Sequence, residues 1–141
     1  MRRILLGALL AALPASTYAD DETTWKPAPG SLMTRWAAQV DPATVHPEYP
    51  RPQLVREAWT NLNGLWDYAV RPADDAKPEA FDGQILVPFP IQSALSGVKK
   101  DVKPEETLWY RRTFELAKPA EGTRFLLHFG AVDWASTVSV N

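Results

Sequence analysis

The chain alternates apolar and polar positions in several short runs. From Leu65 to Val70, Leu65, Asp67 and Ala69 point one way, and Trp66, Tyr68 and Val70 point the other. This period-two pattern predicts a strand with an aromatic inner face. Gln84 to Val87 reads as a short apolar strand stopped by Pro88-Phe89-Pro90. Leu108 to Leu116 alternates again, with Leu108, Tyr110 and Phe114 on one side and Arg112 as the exception among them. Thr123 to Phe129 places Phe125, Leu127 and Phe129 on one face, and Ser136 to Val140 begins a further strand through Val138 and Val140. Five strands joined by polar loops predict a β-sandwich.

Helical signals are weak. Ser31 to Gln39 can make a short helix with Leu32, Trp36 and Met33 on one face, and Val55 to Trp59 can make one turn. Ile91 to Gly97 predicts a turn of helix ended by Gly97. Thirteen prolines against seven glycines disfavour longer helices. Six of those prolines fall between Asp20 and Gln53, which reads as a Pro-rich arm on the surface or a linker.

The first residues have a different texture. Met1-Arg2-Arg3 is basic, Ile4 to Leu13 is almost wholly apolar, and Ala15 to Ala19 is a small-residue exit. This is the layout of a secretory signal peptide cleaved after Ala19. Of 141 residues, 122 remain, and losing two arginines takes the formal charge from −2 to −4. The protein is therefore expected to be exported, to the periplasm or the medium, with a signal peptide at 1–19, an arm at 20–53 and a β domain at 54–141. The apolar run is too short for a bilayer, which needs ~20 such residues. A mildly acidic chain with no basic stripe excludes nucleic acid as the expected partner. The lack of cysteine excludes disulfides and thiol chemistry, so the core rests on its six Trp, four Tyr and five Phe.

Catalytic constellations are missing from the pattern. His46 and His128 lie far apart without metal-ligand spacing, the glycines never cluster, and no nucleophile elbow is present. Glu105-Glu106 are neighbours, whereas glycosidase carboxylates flank a bond at ~5–10 Å; the pair reads as solvated charge. Asp133-Trp134, between two predicted strands, is the candidate site. A ring beside a carboxylate can hold a sugar through C–H stacking and hydroxyl bonds. Spacing alone favours a plainer role, with Trp134 packed into the sandwich edge and Asp133 closing a turn. Trp109, Arg111 and Arg112 are expected on strand faces, covering apolar surface or pairing with acids.

Four blocks then carry a resemblance. Arg51-Pro52-Gln53 with WTNLNGLWDY (59–68), VPFPIQSALSG (87–97), LWYRRTF (108–114), and FGAVDW (129–134) followed by VSVN (138–141) stand in one order. Together they resemble the N-terminal sugar-binding domain of glycoside hydrolase family 2, the family of β-galactosidases, β-glucuronidases and β-mannosidases. The arm before Arg51 is not covered, and Gln92 stands where relatives often have Glu. The resemblance implies an all-β, jelly-roll-like β-sandwich with a galactose-binding-domain-like fold, incomplete at its C-terminus. It implies an exported retaining β-glycosidase whose two catalytic glutamates lie in a (β/α)₈ barrel outside this chain. The chain by itself is then expected to be inactive. No catalytic residue, metal site or cofactor is implied within it, and Asp133 matches a recurrent position of structural character. The implied partners are a β-glycoside and the enzyme's remaining C-terminal domains. A stand-alone secreted carbohydrate-binding module is the alternative. A two-layer sandwich cut within its last strand is expected to be marginal in isolation, with apolar faces and an open edge left uncovered.

Overall fold

A computed structural model describes residues 25–133 and 135–141. Three strands form one antiparallel sheet: β1 (Gly64–Pro72), β2 (Gly83–Val87) and β3 (Glu106–Arg111), in the order β2-β1-β3. Three 3₁₀ turns accompany them, at Ala37–Gln39, Pro52–Leu54 and Ala94–Ser96, and the described residues contain no α-helix. The class is mostly β, as the proline load and the alternation require.

The register assigns each side chain to a face. Trp66 lies opposite Ile85, Tyr68 opposite Tyr110, and Val70 opposite Leu108. These residues share the face that alternation assigns to the interior. Val70, Ile85 and Ile91 are buried there, with Trp66, Tyr68, Val87, Val98, Val102 and Leu108 packed around them. The cover comes from the loop between β2 and β3. Sheets of two or three short strands are marginal until a face is packed, so this loop is part of the fold rather than a connector.

Ser96 organises that loop. It is fully buried, and its hydroxyl lies 2.8 Å from the Ser93 carbonyl and 3.1 Å from that of Ile91. The same oxygen accepts from the Val98 and Lys99 N–H groups at 3.0 and 3.3 Å. One hydroxyl thus serves both limbs of the loop and holds Ile91 over the sheet. The expected turn at Ile91–Gly97 forms as Ala94–Ser96, with the Ser93 side chain accepting from the Ser96 N–H and Gly97 closing it at φ 83°. A Cβ on Gly97 would lie 2.9 Å from the Trp25 indole nitrogen, so glycine is needed for space as well as for φ.

The β1–β2 loop is tied by Asp82. Its carboxylate accepts from the Val70 N–H at 2.9 Å and from Arg71 at 2.7 Å, while Arg71 also donates to the Ala80 carbonyl at 2.8 Å. The proline-rich segment runs against the domain: Ala28 N–H donates to the Ala94 carbonyl at 2.8 Å, and Lys99 Nζ bonds the carbonyls of Pro29 and Gly30. Ala28, Ala37 and Val45 are buried.

Several expectations fail. Only one sheet forms among the described residues, so two-layer packing is not shown. The expected strands at Thr123–Phe129 and Ser136–Val140 are not formed, and among the described residues no strand follows Arg111. Alternation selects a face, but a strand also needs a neighbour for its N–H and C=O groups, and none of the three strands pairs with this segment. Phe125 and Phe129 are about half exposed in consequence. β3 ends at Arg111, opposite Asp67, although β1 continues to Gly64. The helix over Ser31–Gln39 shrinks to Ala37–Gln39, with Leu32 and Trp36 exposed and Ala37 buried instead. The turn expected at Val55–Trp59 lies at Pro52–Leu54, where proline's fixed φ suits a first helical position.

Two outcomes follow. Ser96→Ala removes the loop's hub and leaves buried partners unsatisfied, so urea unfolding should show a loss of about 1–3 kcal/mol; a loss below ~0.5 kcal/mol would mean that the loop does not depend on the hydroxyl. The Val70 N–H first, and then Arg71, hold the Asp82 carboxyl below its ordinary 3.8. A depressed folded pKa gives stability that is complete above the unfolded value and fades as pH falls through the folded one. Asp82→Asn should therefore flatten stability against pH below about 4, and an unchanged acid limb in denaturation curves would contradict this.

Candidate ligand groove

On the sheet's other face the register aligns three polar side chains. Asp67 on the central strand lies opposite Gln84 of β2 and opposite Arg111 of β3, so the row Gln84–Asp67–Arg111 crosses all three strands. Cross-strand neighbours on one face stand within side-chain reach, which is why residues distant in sequence meet here. Arg111 donates to a single oxygen of Asp67, Oδ2, through Nε at 2.9 Å and Nη2 at 2.7 Å. The guanidinium also lies over the Phe81 ring, 4.1 Å from its centroid, which fixes its plane.

Arg112 reaches the same place by a different route. Consecutive strand residues face opposite ways, but β3 stops at Arg111. Arg112 turns back and donates through Nη1 to the Leu65 carbonyl. Gly64, at φ 119°, makes room for it: a Cβ there would lie 3.2 Å from Arg112 Nη1 and 3.2 Å from the Pro42 carbonyl. Leu65, Asp67, Gln84, Arg111, Arg112 and Thr113 together line an open groove of about 240 Å³.

The chemistry on offer is recognition. Asp67 and Gln84 present acceptors, and Gln84, Thr113 and Arg112 present donors. No His or Cys lines the groove, and its one carboxylate is engaged by Arg111. Among the described residues no group of three or more His, Cys, Asp or Glu could hold a metal ion, and no helix is long and apolar enough to cross a membrane.

The residues singled out in the sequence fall elsewhere. Asp133 is exposed in the strand-free segment after Arg111 and does not line the groove, and Trp134 lies outside the described residues. Glu106 caps the start of β3, accepting from the Lys103 N–H at 2.9 Å. His46 pairs with Glu48 at 3.2 Å, and His128 is tilted against Trp59 with centroids 6.3 Å apart, so the two histidines join no common site. Arg111 pairs with an acid, as alternation suggests. Compared with protein-family models and with curated proteins, the chain matches none of either.

Asp67 and Thr113 stand in two of the quoted blocks, but the sequence does not single them out as site residues; the strand register brings Asp67 to Gln84, and Thr113 follows the end of β3. The polar Asp67 on the side of β1 away from the aromatic face was the one available signal. Because both partners of the Asp67–Arg111 pair are substantially exposed, a double-mutant cycle with Asp67→Asn and Arg111→Gln should give a coupling of about 0.2–1 kcal/mol. A coupling above ~2 kcal/mol in denaturant melts would show a pair far better shielded than this geometry allows.

Proposed function

We propose that the chain is the N-terminal sugar-binding portion of an exported family 2 glycoside hydrolase, an enzyme of carbohydrate metabolism that hydrolyses O-glycosyl bonds. One observation carries the reading: the ordered sequence blocks fall on the segments that build the packed sheet. WTNLNGLWDY leads into β1, VPFPIQSALSG leaves β2 and makes the Ala94–Ser96 turn, and LWYRRTF covers the end of β3 and the groove arginines. Three of the four blocks pack on one another, and the fourth, FGAVDW with VSVN, lies in the segment that forms no strand among the described residues.

The reading brings with it a jelly-roll-like sandwich, of which the three-stranded sheet would form part. It also brings export through the Met1–Ala19 signal, a β-glycoside as partner, and the enzyme's other domains as neighbours. The glycosidic bond would be cleaved with retention by two glutamates of a barrel that none of the four blocks represents. This chain's role is to hold sugar, through the groove row or through Asp133 and Trp134.

Calorimetric titration of the folded chain with methyl β-D-galactoside, methyl β-D-mannoside and methyl β-D-glucuronide should give saturable binding for at least one of them. A folded chain that binds none of the three would sink the sugar-binding reading.

A further inference from the structure

The charges in the groove are unequal. Two guanidinium groups and one carboxylate line it, and that carboxylate already belongs to Arg111. Arg112 is half-buried, and among the described residues no carboxylate lies within ion-pair distance of it. Its Nη1 is committed to the Leu65 carbonyl, which anchors the guanidinium in the groove lining. A partly desolvated guanidinium with no counter-charge is a site for an anion, and arginine's planar fork suits a carboxylate in particular.

The rest of the lining asks for hydroxyl groups. Gln84 offers a donor and an acceptor, Thr113 a hydroxyl, and Asp67 an oxygen, Oδ1, that takes no hydrogen bond from the described residues. About 240 Å³ falls below the ~300–1,000 Å³ of sites for drug-sized ligands, so the groove suits a single ring.

We infer that the groove binds a carboxylate-bearing pyranose, an acidic sugar residue, with its carboxylate on Arg112 and its ring hydroxyls on the Gln84–Asp67–Thr113 edge. This assignment rests on the sugar-binding reading and narrows it to one ligand class and one place. Neutral sugars would leave the charge on Arg112 unanswered, and a bare carboxylate would leave the polar edge unused.

The test uses a matched pair of ligands on the full chain, methyl β-D-glucuronide and methyl β-D-glucoside, which differ by carboxylate against hydroxymethyl, with sodium acetate as the bare carboxylate. Binding is followed by backbone amide chemical shifts. A hydrogen bond to a charged group predicts that the glucuronide binds about tenfold tighter or better than the glucoside. Acetate should bind more weakly than the glucuronide, and the shifted amides should centre on Gln84, Arg111 and Thr113. Added salt should narrow the glucuronide preference. Arg112→Gln should erase the preference, Arg112→Lys should keep part of it, and Gln84→Ala should weaken both sugars.

Equal affinity for the two sugars in the wild-type chain overturns the inference without needing any variant, which guards against Arg112→Gln failing to fold. Acetate binding as tightly as the glucuronide overturns it in favour of a simple anion site. Galactoside or mannoside binding that ignores Arg112→Gln and Gln84→Ala places sugar elsewhere; the inference then fails while the broader sugar-binding reading stands. No binding of any glycoside ends both.

Discussion

Burial of Val70 and Ile85 beneath Ile91 is the contact on which the other features hang. Three short strands do not hold a sheet in water by backbone bonds alone. The apolar face of β1 has to be covered, and what covers it is a loop rather than a second sheet. That loop keeps its shape because the buried Ser96 hydroxyl serves groups on both of its limbs. The proline-rich segment depends on the loop in turn, through the Ala94 carbonyl and Lys99. Loosening the loop would therefore release the segment and the sheet together.

The groove inherits its precision from the same contact. Asp67 meets Gln84 and Arg111 only in one register, and a slip of one residue would send all three to opposite faces. The aromatic face fixes that register, since Trp66, Tyr68 and Val70 cannot turn outward without exposing the core. A polar row on one side of a sheet is thus positioned by apolar packing on the other. The adjacent arginines show how a strand's end is used: had β3 run on, Arg112 would face the core side, and only the stop at Arg111 lets both reach one groove.

This division explains what could be read in the sequence. The alternation from Leu65 to Val70 named the aromatic face that packs on Ile85 and Ile91, because facing is a local property of a strand, but it did not show that Ala69 on the other face is buried as well. Gly97 announced its turn because a left-handed residue beside the Trp25 ring leaves little choice of side chain. The strands expected at Thr123–Phe129 and Ser136–Val140 failed because pairing is not local: the same alternation is compatible with any neighbour or with none. Ser31–Gln39 failed in a related way, since its apolar stripe found no surface to lie on and Leu32 stayed in water. Asp67 and Gln84 read as strand positions and not as site residues because neither is unusual alone, and their meaning is a distance across strands. Asp133 drew attention by sitting beside an aromatic residue in sequence, a weaker relation than sharing a groove.

The two faces of the sheet also differ in what can be laid against them. One runs Trp66, Tyr68, Val70 without a charge and is suited to dry packing. The other runs Leu65, Asp67, Ala69, Arg71 along β1, so apolar and charged rows alternate across it. Pressing an apolar layer squarely onto that second face would strip water from the Asp67–Arg111 pair and from Arg112, and desolvating ions costs more than an exposed pair returns. That face is itself covered in part, since Ala69 and Leu86 on it are fully buried, and the Gln84–Asp67–Arg111 row is the stretch left in contact with water.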